Sequence, residues 1–217
     1  MTGTPVQKSP AKYVLYGWTG SGSVCAEAAL REAGADFELV QVDTGKKQHV
    51  DAEFTKINPR QQVPTLVLPD GTVVTETMAI LLHLADAFPD EHLAPKPGTS
   101  ARAVHDRWLA FLAVNVYEGE LRKAYSDRYS DDTGHAPAVG GAAAKYVERH
   151  YAILEEQIEA GPYFLGHPFT VLDIYIWMLA QWMDQDWLAK NAPKVLALAN
   201  AVKARAKIKP IQAAHFG

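Results

Sequence analysis

Hydrophobic positions follow two rhythms along this chain, and the rhythm changes near residue 95. In the first part, short apolar runs are separated by turns. "YVLYGW" at 13–18 is apolar and predicts a buried strand. "FELVQVD" at 37–43 alternates in part and predicts a second strand. "TLVL" at 65–68 and "TVVT" at 72–75 flank a Pro69-Asp70-Gly71 turn, the signal of a hairpin. Helical stretches lie between these runs. Residues 23–33 read as a helix with Ser23 as candidate N-cap, Glu27 and Arg31 paired at i,i+4, and Gly34 just past its end. Residues 49–57 read as a short polar helix stopped before Pro59. Ile80, Leu81, Leu84, Ala85 and Phe88 recur with helical spacing. The predicted order is β-α-β-α-β-β-α.

"APKPGTS" at 94–100 has the Pro, Gly and small polar residues of a linker, and no strand pattern follows it. Val104, Trp108, Phe111, Leu112 and Asn115 fall on one helical face, and Val147, Tyr151, Leu154 and Ile158 on another. Thr170 with Asp173 forms a near capping box ahead of "VLDIYIWMLA". A last helix is predicted from about Pro193 to Ala206, and residues 125–141 read as a long exposed loop. The domain expectation is a disordered tail at 1–11, a small α/β domain at 12–93, a linker at 94–100 and an all-helical domain at 101–217.

Composition narrows the function classes. The 217 residues carry 21 basic and 25 acidic side chains, a net charge of −4 without a basic block, which disfavours nucleic acid as a partner. No apolar run approaches the roughly 18 residues of a membrane span. The N-terminus has no apolar core of the secretory kind, so a cytoplasmic location is expected. Cys25 is the single cysteine, so no intrachain disulfide forms. The eight histidines are scattered, and no metal is expected.

Candidate chemistry starts where the first strand meets the first helix. Gly17, Gly20 and Gly22 are interleaved with Trp18, Thr19 and Ser21, and Ser23 follows. Small residues and hydroxyls at a helix start suit an anion. The spacing fits neither the dinucleotide fingerprint nor the phosphate loop, and no lysine follows, so a nucleotide is disfavoured.

"NPRQQVPTLVLPDGTVVTET" at 58–77 resembles the glutathione-binding half of cytosolic glutathione S-transferases. The likeness rests on Asn58-Pro59, Val63-Pro64-Thr65-Leu66, the Asp70-Gly71 turn and Glu76-Thr77, and it extends to "LYG…GSGS" and "TVLDIYIWML". It implies a thioredoxin-like N-terminal domain, an all-α C-terminal domain, a homodimer and a detoxifying transferase of bacterial type. It also implies a cis bond before Pro64, leaving the Val63 backbone free to pair with glutathione as an added strand. Glu76 would take the ligand's ammonium and Thr77, at a helix start, its γ-glutamyl carboxylate. Gln62, and Gln48 or His49, stand where relatives contact the glycyl end.

The reaction needs a thiolate near neutral pH. Lowering a thiol pKa from roughly 8.5 by two units takes about 2.7 kcal/mol, which a hydroxyl and a helix N-terminus supply together. By resemblance the hydroxyl is Tyr16, Thr19, Ser21 or Ser23, with Ser21 and Ser23 favoured and unordered. Cys25 lies about one helical turn past the position of the cysteine in reactive-cysteine relatives and reads as core. For an apolar electrophile the aromatic candidates are Trp18, Trp108, Phe111 and Tyr117, with Tyr125 and Tyr129 beyond them. The expected function is glutathione transfer to a small apolar electrophile. The alternatives are a non-catalytic glutathione-binding protein, or a glutathione-dependent reductase or isomerase of the same fold.

Overall fold

The structure, a computed structural model, describes residues 12–217. The tail expected at 1–11 lies outside the described residues. The chain divides into two units. One runs up to Glu91 and includes Lys207–Gly217, and the other is His92–Ala206.

The first unit has a four-stranded sheet in the order β2-β1-β3-β4. Strand β1 (Tyr13–Gly17) pairs in parallel with β2 (Phe37–Gln41) and antiparallel with β3 (Thr65–Val67). The Asp70-Gly71 turn returns β3 into β4 (Val73–Val74), where the Leu68 amide donates to the Thr72 carbonyl. Leu15 and Leu66 are fully buried. Adjacent side chains of a strand point to opposite faces, so Tyr16 faces away from Leu15, with its ring 5.7 Å from that of Phe54.

Helix α1 (Ser23–Glu32) is short-chained on its buried positions (Cys25, Ala26, Ala28, Ala29) and packs close to β1 and to α3 (Thr77–Ala87). Gly34 ends α1 as expected. At φ +68 it lets its own amide reach the Arg31 carbonyl and the Ala35 amide reach that of Leu30. Ser23 is not the N-cap. Gly22 holds that position and Ser23 is the first helical residue. Helix α2 (Ala52–Ile57) ends ahead of Pro59. The observed order β-α-β-α-β-β-α is the thioredoxin-like arrangement.

The second unit is helical: α4 (Ser100–Phe111), α5 (Glu118–Ala124), α6 (Ala136–Gln157), α7 (Val171–Ala180), α8 (Gln185–Asn191) and α9 (Pro193–Lys203). Every residue of α7 is buried, and α7 packs on α9 and α4. The capping box forms, with the Asp173 carboxylate accepting the Thr170 amide at 2.8 Å.

Three expectations shift here. The stretch 125–141 is not one loop: two short 3₁₀ turns lead to α6, which already begins at Ala136 with a proline in its first turn. The buried stripe of α4 is rotated from the expected face: it runs through Arg102, His105, Trp108 and Leu109 and leaves Val104 exposed, and a π-helical turn, Leu112–Tyr117, follows the helix. Finally, α10 (Lys209–Phe216) follows α9 and belongs to the first unit, so the helical unit stops at Ala206 and not at residue 217. Among the described residues no helix is long and apolar enough to cross a membrane.

Candidate functional site

Sheet topology brings three sequence-distant pieces to one end of the first unit. The carboxyl end of β1 lies beside the amino end of β3, because Tyr16 pairs with Thr65. The carboxyl end of β4 lies there too, because Val74 pairs with Leu66. The loop after β1, the Val63-Pro64 step before β3 and the Glu76-Thr77 step after β4 therefore share one edge.

The Val63–Pro64 bond is cis. Sheet pairing starts only at Thr65, and among the described residues the Val63 N–H and C=O take no backbone partner. A buried amide shapes this loop. Asn58 Nδ2 donates to the Gln62 carbonyl at 2.8 Å and to Thr65 Oγ1 at 2.9 Å, and Asn58 Oδ1 accepts the Arg60 amide at 3.0 Å. Thr65 Oγ1 donates in turn to the Gln62 carbonyl at 3.1 Å. The Gln62 carbonyl is thus held inside the loop while its side chain is exposed.

Glu76 precedes α3 at φ +64, a conformation that costs a non-glycine residue about 1–3 kcal/mol. Its exposed carboxylate bridges to Arg60 Nη1 at 2.6 Å. Thr77 opens α3 and is buried, with 7% of its surface exposed. The first α3 amide with a partner one turn back is that of Ile80, which donates to the Glu76 carbonyl. The amides of Thr77, Met78 and Ala79 therefore have no partner within the helix, as in any first turn. Strained backbone, a buried hydroxyl and three such amides make this corner suited to a carboxylate.

In the opposite loop the two serines differ. Ser23, 2% exposed, accepts the Trp18 amide at 3.0 Å and reaches the Trp18 carbonyl at 3.2 Å. Ser21 is half-buried, with its hydroxyl 2.8 Å from that of Ser23 and 2.7 Å from the same carbonyl. The Ser23 amide points at Ser21 Oγ at 3.3 Å. Thr19 is exposed and Tyr16 lies against Phe54. Burial, with the charge of Glu38, pushes the Tyr16 hydroxyl pKa up. Cys25 is fully buried, its Sγ donating to the Gly22 carbonyl, and burial pushes its thiol far above the range of a reactive cysteine.

Comparison with known proteins fits this geometry. The model "Glutathione S-transferase, N-terminal domain" matches residues 11–86 and "Glutathione S-transferase, C-terminal domain" matches residues 122–213. The chain is 33% identical over 190 residues to the uncharacterized GST-like protein YncG of Escherichia coli K12, covering 87% of this chain and 91% of YncG. The chain belongs to the glutathione S-transferase family. It is also 32% identical to glutathione S-transferase GstA of Escherichia coli O157:H7, over 75% of this chain and 78% of GstA. Among solved structures it resembles a Sulfitobacter glutathione transferase homologue with bound glutathione, at 27% identity and a TM-score of 0.86, covering 94% of this chain and 98% of that one.

Within this glutathione S-transferase fold, the remaining sequence candidates are dispersed. His49 lies in a 3₁₀ turn, and its Nδ1 is buried without a partner among the described residues. The Gln48 side chain accepts the Asp43 amide at 2.8 Å. Trp18 is half-buried in the first unit. In the second unit, Trp108 is core, with ring centroids 5.0 Å from Phe111 and 4.9 Å from Phe164. Tyr117 packs against Trp182 at 5.3 Å. His215 escaped the sequence reading. It touches the serine loop, and its only local signal was Pro210 in the first turn of an unassigned helix.

Proposed function

We propose that this chain is a glutathione transferase that binds glutathione through Val63, Glu76 and Thr77 and activates its thiol with Ser21. The observation that carries the reading is the unpaired Val63 backbone, set by sheet register level with the Glu76-Thr77 helix start. A peptide-like ligand pairs there as an added strand, its γ-glutamyl carboxylate on the α3 amides and Thr77 and its ammonium on Glu76. Gln62 and His49 then face the glycyl end.

The serine pair supports an order between the two hydroxyls. The Trp18 carbonyl already accepts the Ser21 amide at 3.2 Å, so the half-buried Ser21 hydroxyl, 2.7 Å from the same oxygen, is able to turn to the sulfur without leaving that carbonyl bare. Ser23 is buried and taken up by the Trp18 amide, and its own amide steadies Ser21 Oγ. Ser21 thus stabilises the thiolate together with the start of α1, and Ser23 holds the loop. The thiolate attacks a small apolar electrophile, the half-buried Trp18 offering apolar surface in the same loop. Burial of Cys25 takes thiol–disulfide exchange through the protein out of the scheme. The reading includes a cytoplasmic homodimer, as the family implies, which sedimentation of the purified chain checks.

Isothermal titration with millimolar glutathione tests the binding, and the absence of any heat there refutes it. Ser21→Ala should move the pH–rate profile to higher pH, because the thiolate is the reacting form. An unmoved profile in Ser21→Ala refutes the serine's role.

A further inference from the structure

The serine loop is tied to the far end of the chain. The Gly20 amide donates to His215 Nδ1 at 3.3 Å, across 195 positions of sequence. The other ring nitrogen, His215 Nε2, lies 3.0 Å from Glu27 Oε2 on α1. Both side chains are buried, with 6% and 7% of their surface exposed. Burial opposes the charge on Glu27, yet the hydrogen bonds from His215 and Arg31 outweigh it and hold its pKa below the usual carboxylate range. An ionised Glu27 accepts, so Nε2 carries the ring proton. A backbone amide only donates, so Nδ1 offers its lone pair. The two partners together fix the ring's orientation, with Nε2 toward Glu27 and Nδ1 toward the Gly20 amide.

The surroundings make this contact a device of placement. Gly20 sits at φ +68, next to Ser21, in a turn closed by the Ser21 amide on the Trp18 carbonyl. Helix α10 is itself secured on α1, because Lys207 Nζ donates at 2.9 Å to the Glu32 carbonyl at the end of α1. The strap therefore holds α1 at its last turn, near its middle through Glu27, and through Gly20 at the loop that feeds its first turn.

We propose that His215 is a positioning residue for thiol activation, holding the Gly20 amide so that the Ser21 hydroxyl stays aimed at the sulfur. This assignment rests on the glutathione reading above. His215 touches neither the ligand nor the reacting atoms and acts through Gly20. Its loss removes the hold of Nδ1 on the Gly20 amide, and the hydroxyl then spends part of its time away from the sulfur.

The test compares His215→Phe, which keeps a ring without an acceptor, with His215→Asn, whose amide oxygen replaces Nδ1. Arg31 still pairs with Glu27 in both, and His215→Leu serves in place of a phenylalanine variant that does not fold. Three measurements are made on the full chain. They are the pKa of the bound glutathione thiol from its ultraviolet thiolate absorbance, the affinity for S-methylglutathione, and amide hydrogen exchange at Gly20. His215→Phe should raise the thiol pKa by about one unit, a tenfold fall in its ionisation constant and about a threefold loss of thiolate at pH 7 from a parent pKa of about 6.5, which is the size of one hydrogen bond. S-Methylglutathione, having no thiol, should bind within about twofold of the parent. Gly20 exchange should quicken, and His215→Asn should recover most of both changes.

An unchanged thiol pKa alongside faster Gly20 exchange overturns the positioning role. So does a loss of S-methylglutathione affinity as large as the loss of thiolate, or an asparagine variant no better than phenylalanine. A parent chain with neither thiolate signal nor S-methylglutathione affinity refutes the glutathione reading itself, and this role falls with it. Failure of the variants and failure of the parent are read in different samples.

Discussion

Asn58→Ala should damage both stability and binding, because one buried amide organises the loop that presents Val63. Asn58 is 3% exposed and Thr65 fully buried. The substitution removes the bonds to the Gln62 carbonyl, to Thr65 Oγ1 and from the Arg60 amide. At about 1 kcal/mol per neutral hydrogen bond, the sum is about 3 kcal/mol. The Arg60 amide belongs to an exposed residue and can turn to water, so about 2 kcal/mol is the lower end of the range. Urea unfolding followed by circular dichroism measures this as a lower midpoint with an unchanged slope. Asn58→Asp sharpens the argument. The orientation of the amide is set on both sides, by an amide donor at Arg60 and a carbonyl acceptor at Gln62. A carboxylate would place oxygen against the Gln62 carbonyl, acceptor facing acceptor. Aspartate should therefore be at least as harmful as alanine, and glutathione affinity should fall in both. An aspartate variant with the parent's midpoint, or an alanine variant within about 0.5 kcal/mol of it, refutes the network as the organiser of this loop.

Two further outcomes follow from buried titratable groups. Cys25 should resist iodoacetamide in the folded chain and react only on unfolding; brisk labelling of the native protein would contradict its burial. Burial pushes the Asp173 carboxyl from 3.8 up to about 6, although the amides of Phe164 and Thr170 donate to it. The folded state then prefers the protonated acid, so this group's contribution is full below about pH 4 and is lost as pH rises through about 6, a change of about 3 kcal/mol at most. Asp173→Asn should remove that part of the pH dependence, and an identical pH slope in parent and variant would refute it.

The family motif was legible because its parts are local. The Asp70-Gly71 turn specifies the hairpin by its backbone preference, and Gly34 ends α1 by its left-handed conformation. Glu76 and Thr77 were readable as a pair, though the positive φ of Glu76 was not, because no residue type at that position announces it. Ser21 and Ser23 looked equivalent in sequence, since both are small hydroxyls near a helix start. Burial separates them, and burial depends on Trp18 folding its backbone over Ser23. The exposed Val104 was misplaced because apolar type alone set the face: the buried stripe of α4 takes the polar Arg102 and His105 in its place.

By itself the sequence determined the β-α-β-α-β-β-α order of the first part of the chain, its hairpin turn and the family. These follow from periodicity and turn chemistry within a dozen residues. Tertiary structure alone decided which serine is buried, that the Val63-Pro64 step and the Glu76-Thr77 step come to the same end of the sheet, and that α10 returns to the first unit to set His215 against Gly20. Each of those facts is a pairing across long stretches of chain, where specificity comes from packing and hydrogen-bond partners that no local pattern encodes.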